Sequence, residues 1–202
     1  RRQDKRDILY RKAHHRSVFY EVTLNHYQDK EDKDKVAALT YEACNMFGYK
    51  MGKYEYGADN SKFTVDDDMK TIYPNLASVK GIGEKAVLSM MDIATRGYDN
   101  IIDVYLAIKG TNINATVFRK LVKIGYFKRF GSSKQIMQQL DIVDQWRGRK
   151  IIKKNQIEEL GLEELDLTQY ATDLLKSGAH SKTQWSNLDW RKLVDDLCAD
   201  VP

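Results

Sequence analysis

The chain has 202 residues, enough to bury a hydrophobic core, and carries a net charge of +4 with 31% of its residues charged. Cys44 and Cys198 stand far apart with no partner at metal or redox spacing, so no disulfide or zinc framework is expected and a reducing, cytoplasmic setting fits. No apolar run is long enough for a membrane span, and Arg1-Arg2-Gln3-Asp4-Lys5-Arg6 leads into no apolar signal core; that charged opening reads as the middle of a longer protein.

Asp7 to Tyr27 place Ile8, Leu9, Val18, Phe19, Val22 and Leu24 between basic residues, which predicts one or two helices. The solvated turn of residues 28–35 leads into a helix carrying Val36, Leu39, Ala43, Met46 and Phe47, with Gly48 placed to end it. Residues 49–68 are rich in Tyr, Gly, Asn, Asp and Ser and read as irregular or as a minor β excursion. From Tyr73 onward helical spacing returns in short pieces. Leu76 and Val79 precede Gly81-Ile82-Gly83, then Ala86, Val87, Met90 and Met91 make an apolar face. Ile101 to Ile108 make another helix, closed by Gly110. Asn112 or Asn114 caps a following one that holds Val117, Phe118, Leu121, Val122 and Ile124 and stops at Gly125. A further helix runs from Ser133 to about Trp146, and a last one from Asn187 to Cys198. The fold expected is mainly α: a helical region at 1–70, a tandem of helical hairpins at 71–131 and a helical extension with an acidic tail at 132–202.

Charge follows the same divisions. Residues 1–79 hold 14 basic and 13 acidic side chains, 80–154 hold 15 and 6, and 155–202 hold 4 and 10, or +1, +9 and −6. A segment at +9 beside a tail at −6 points to a polyanion-binding stretch next to a different surface.

In Leu76-Ala77-Ser78-Val79-Lys80-Gly81-Ile82-Gly83-Glu84-Lys85-Ala86-Val87 each residue type has a physical task. Gly81 permits a positive φ, so one helix reverses into the next within a few residues. Ile82 anchors the tip in the core. Gly83 presents no Cβ to an approaching phosphate, and its N–H with those of Glu84 and Lys85 forms an anion site at a helix N-terminus. Lys80 and Lys85 add charge, and Ala86 keeps the helices close. Such contacts read backbone, so the expected partner is double-stranded DNA held without sequence preference and with strong salt dependence. Gly81-x-Gly83-x-x-Ala86, with Asp103 beyond it, also matches a loose dinucleotide fingerprint, but helical spacing rather than an apolar strand precedes it.

Ala77 to Ala86, followed by Asn114-Ala115-Thr116-Val117-Phe118-Arg119-Lys120-Leu121-Val122-Lys123-Ile124-Gly125-Tyr126-Phe127, resemble the tandem helix-hairpin-helix region of the alpha subunit of bacterial DNA polymerase III, the C-family replicative polymerase. Ala13-His14-His15-Arg16-Ser17-Val18-Phe19-Tyr20-Glu21-Val22-Thr23-Leu24-Asn25 and Asn60-Ser61-Lys62-Phe63 are similar to the distal fingers before those hairpins, and the likeness covers about two thirds of the chain in the right order. It implies a phage or otherwise divergent polymerase in which this segment holds duplex behind the active site. The catalytic carboxylates would lie upstream, so no catalytic residue, metal or cofactor is assigned here. The partners implied are DNA, the rest of the polymerase and the sliding clamp. Two departures stand out: Ser17 replaces the family's usual proline, and the second hairpin, Gly110-Thr111-Asn112-Ile113-Asn114, lacks the glycine pair, so it supports the first more than it grips phosphate. Lys109, Asn112, Asn114 and Lys120 complete the candidate DNA contacts. The other readings are a free-standing hairpin module that recruits a repair or nuclease complex, and a protein-interaction scaffold.

Other candidates have plainer explanations. Gln139-Leu140-Asp141-Ile142-Val143 resembles a clamp-binding peptide but shares one helical face with Ile136 and Met137. His14, His15, His26 and His180 are poorly placed for a metal, and Asp66-Asp67-Asp68 reads as a solvated loop. Lys150-Ile151-Ile152-Lys153-Lys154 reads equally as an extension of the DNA track or a solvated helix end, and Trp185 and Trp190 as core packing before a partner surface.

Overall fold

The computed structural model describes residues 2–147, 151–159, 164, 166, 169–176 and 183–200, giving the backbone alone for residues 2–3, 151–154, 157, 171–176 and 183–188. The chain is mainly helical and divides into two compact units, residues 1–130 and 131–202. Among the described residues no helix is long and apolar enough to cross a membrane.

In the first unit the N-terminal periodicity becomes two helices, α1 (Arg2–His14) and α2 (Arg16–Asp29), broken at His15. The Asp32 carboxylate accepts from Lys35 N at 3.2 Å and starts α3 (Lys33–Phe47), which ends at Gly48. The polar stretch that follows forms a small sheet in the order β1 (Lys50–Met51), β3 (Thr71–Tyr73), β2 (Thr64–Asp66), with β1 parallel and β2 antiparallel to β3. Helix α2 is joined to this sheet by side chains acting as backbone would. The Asn25 carboxamide donates to Phe63 O and accepts from Phe63 N, both at 2.8 Å, and the Glu21 carboxylate accepts from Val65 N at 3.0 Å. Tyr20, Leu24, Ala43, Tyr49, Phe63 and Ile72 close the core between them.

The helical spacing from Tyr73 to Lys80 yields only one 3-10 turn, Leu76–Ser78, because Tyr73 belongs to β3 and Pro74 keeps its predecessor extended. The remaining helices of this unit are α4 (Glu84–Thr95), α5 (Ile101–Ala107) and α6 (Ala115–Lys123). They share a core of Met90, Ile93, Ile102, Val104, Phe118, Leu121 and Phe127, in which the Phe118 and Phe127 rings stack at 4.6 Å.

The second unit departs from the helical extension expected. Beside α7 (Ser133–Trp146), α8 (Lys154–Glu159) and α9 (Trp190–Cys198) it contains an antiparallel sheet in the order β4 (Ile151–Lys153), β6 (Thr183–Leu188), β5 (Ala171–Lys176). The last helix therefore begins at Trp190, capped by Asp189, and Asn187 lies in β6. Ile151–Lys153 are a strand rather than a helix end, paired with Ser186, Trp185 and Gln184; Lys150 and His180 lie outside the described residues. These strands are short, and β4 pairs with β6 across some thirty residues, which leaves no periodic trace in the sequence.

Candidate nucleic-acid interface

The first hairpin is built in five residues. The buried Asn75 accepts from Ala77 N at 2.8 Å and holds the 3-10 turn, and Val79 returns the backbone to an extended conformation. Gly81 then takes φ +85°, a region that a side chain resists. Ile82, 4% exposed, plugs the tip into the core while its N–H donates to Val79 O at 3.0 Å. Gly83, at φ −93° and ψ 159°, is the N-cap of α4. Its carbonyl accepts from the N–H groups of Ala86 and Val87 at 3.0 and 3.1 Å.

No side chain caps α4, and a Cβ built at Gly83 would meet nothing within 4 Å. Among the described residues, the N–H groups of Gly83, Glu84 and Lys85 have no acceptor. Free donors at the positive end of a helix, in open space, form an anion site. Lys80, Lys85 and the glycines are exposed; Glu84, also exposed, contributes through its N–H and sits favourably in the first turn.

The second hairpin repeats the plan with two residues added. Lys109 and Gly110, at φ +82°, stand where Lys80 and Gly81 do; Thr111 N donates to Ile108 O at 3.0 Å, and Ile113, again 4% exposed, plugs the tip. The difference is at the cap. The Asn114 carboxamide oxygen accepts from Val117 N at 2.8 Å and takes the place over α6 that an anion would use. The second tip braces the first: Asn112 Nδ2 donates to Ser89 Oγ of α4 at 3.4 Å, and Lys120 of α6 sends its ammonium to Lys80 O at 3.4 Å, beside Gly81. Sequence reading named Lys120 without the reason for its place. It also missed Ser89, a small polar residue on a helix face with no local signal.

The other candidates sit apart from this cluster. Gln139 to Val143 form turns of α7 with Leu140 and Val143 fully buried, so presenting them as an extended peptide would require unwinding that helix. Asp66 accepts from Met69 N and Asp67 from Tyr49 Oη and Lys70 Nζ, so the turn between β2 and β3 employs both carboxylates. His14 and His15 lie at the break between α1 and α2, His26 near the end of α2. The dinucleotide fingerprint fails structurally, since a 3-10 turn and not a strand leads into Gly81.

No curated protein matches the chain. Residues 58–137, which hold both hairpins, match the family model described as the helix-hairpin-helix motif, in agreement with the turn geometry above.

Proposed function

We propose that this module grips the phosphate backbone of double-stranded DNA without reading base sequence, and that it does so within a C-family replicative polymerase alpha subunit, holding duplex behind the active site. The observation that carries the grip is the uncapped N-terminus of α4 at Gly83, flanked by Lys80, Lys85 and Lys120. Residues 80–130 of the same unit hold 9 basic and 4 acidic side chains, a net +5 that extends the field around it. Support for the polymerase setting is the resemblance of residues 77–86, 114–127, 13–25 and 60–63; the rest of the polymerase would supply the catalytic carboxylates.

The deciding variant is Gly83→Asp. The backbone there suits any residue and the space is open, so the variant folds, and its carboxylate caps α4 while filling the anion site with negative charge. Titration of a labelled mixed-sequence duplex at several salt concentrations should show affinity reduced at least about tenfold, with an unfolding midpoint equal to or above that of the parent. Unchanged affinity in the folded variant would make the glycines turn residues only. The polymerase setting is tested by the surrounding reading frame: paired catalytic carboxylates upstream support it, and an unrelated nuclease or repair protein overturns it.

A further inference from the structure

Where the 52–63 loop meets the end of α6, a cavity of about 450 Å³ is lined by Tyr54, Glu55, Tyr56, Tyr126, Lys128 and Arg129. Its walls are fixed to the hairpins. Tyr56 N donates to Tyr126 O at 3.0 Å, and Glu55 N donates to the Asn60 carboxamide at 3.3 Å. Asn60, 3% exposed, accepts from Leu76 N at its own carbonyl, at 2.8 Å, and donates through its side chain to Pro74 O at 3.5 Å, so the cavity rests on the first turn of the gripping hairpin.

The lining has a definite chemistry. The Tyr56 ring is locked among Tyr126, Phe127 and Phe130, with centroids 5.1 to 6.0 Å away, and the Arg129 guanidinium lies 5.8 Å from it. Tyr54 differs: it is half-buried, and among the described residues its ring has no aromatic or cationic partner and its hydroxyl no hydrogen bond. Lys128 and Arg129 are exposed beside it. A free aromatic face, two cations and one carboxylate acceptor match a flat, hydrogen-bonding base joined to a phosphate. The volume falls in the range of small-ligand sites.

We propose that this cavity takes one unpaired nucleotide of a DNA strand, its base stacked on Tyr54, an N–H edge of the base donating to Glu55, and its phosphate held by Lys128 and Arg129. The module then engages the junction between single strand and duplex, a step beyond the phosphate grip on duplex alone. No covalent chemistry is involved.

The test is a single-stranded oligonucleotide carrying one 2-aminopurine, titrated with the whole chain. Stacking should quench the fluorescence with the parent chain, Tyr54→Phe and Gly83→Asp, and Tyr54→Ala should abolish the quenching. The double variant Lys128→Ser, Arg129→Ser changes only exposed side chains and should weaken binding about five- to tenfold. A duplex with a single-stranded overhang should bind about tenfold more tightly than a blunt one, and Tyr54→Ala should erase that gain while leaving blunt-duplex affinity intact. Absence of quenching, an overhang without benefit, or full binding by the folded Lys128, Arg129 double variant overturns the proposal. Unchanged duplex binding by Gly83→Asp, with quenching retained, would remove the hairpin grip and leave this site standing.

Discussion

The ammonium of Lys120, on α6 of the second hairpin, lies against the α-carbon of Gly81 and reaches Lys80 O at 3.4 Å. Two hairpins that share no helix are thereby linked at the turn of the one proposed to grip phosphate. A methyl group at Gly81 would fall on that ammonium as well as straining a backbone at φ +85°.

A double-mutant cycle separates those two effects. Gly81→Ala should destabilise the chain by about 1–3 kcal/mol, part strain and part displacement of Lys120. In a Lys120→Ala background the same change should be less damaging by about 0.5 kcal/mol or more, because the clash is gone and the strain remains. Equal losses in both backgrounds, measured by denaturant unfolding, would mean the lysine simply moves aside.

Lys120 also bears on DNA. Lys120→Met keeps most of the stem and removes the charge beside the anion site. It should weaken duplex binding several-fold and lower the slope of log affinity against log salt by about 1. A slope unchanged from the parent would assign the side chain to bracing alone.

The two helix starts predict opposite responses. Asn114→Ala removes the cap of α6 and should reduce stability by about 1 kcal/mol, whereas Gly83→Asp should hold or raise it. Calorimetric or circular-dichroism melting of the two variants checks this, and a destabilised Gly83→Asp would contradict the open geometry described for α4.

Acid should loosen the first three helices through Glu42, which accepts from both Lys12 and Tyr20. Burial works against its charge, but those hydrogen bonds outweigh it and hold its pKa below the ordinary 4.5. Because the folded value is the lower one, its stabilisation is complete above the unfolded value and is lost as pH falls through the folded one. Glu42→Gln should therefore flatten the fall in stability below about pH 5, followed by backbone circular dichroism in urea. Alkali acts through Tyr49, whose pKa is pushed up to about 12 by burial and by its hydrogen bond to Asp67. The folded state prefers the neutral phenol, so that contribution is intact below pH 10 and disappears as pH rises through 12. An ultraviolet titration in which every tyrosine ionises near its ordinary value would reject this.

The turn of the first hairpin was legible because its determinants are local. A glycine where the chain must reverse, an isoleucine where it must anchor, a second glycine where a helix must start uncapped, and the flanking lysines all lie within a few residues. The helices carrying Val36 to Phe47 and Ser133 to Trp146 were legible for the same reason, since their apolar faces repeat at helical spacing. Tertiary structure alone decided the rest. Lys120 meets Gly81 and Asn112 meets Ser89 only because α4 and α6 pack on a common core. Helical spacing from Tyr73 to Lys80 gave way to a single 3-10 turn because Tyr73 pairs with Thr64 in the sheet and Pro74 follows. The pairing of β4 with β6 and the cavity beside Tyr54 arise across long stretches of chain, where loop closure and burial rather than local preference determine which residues meet.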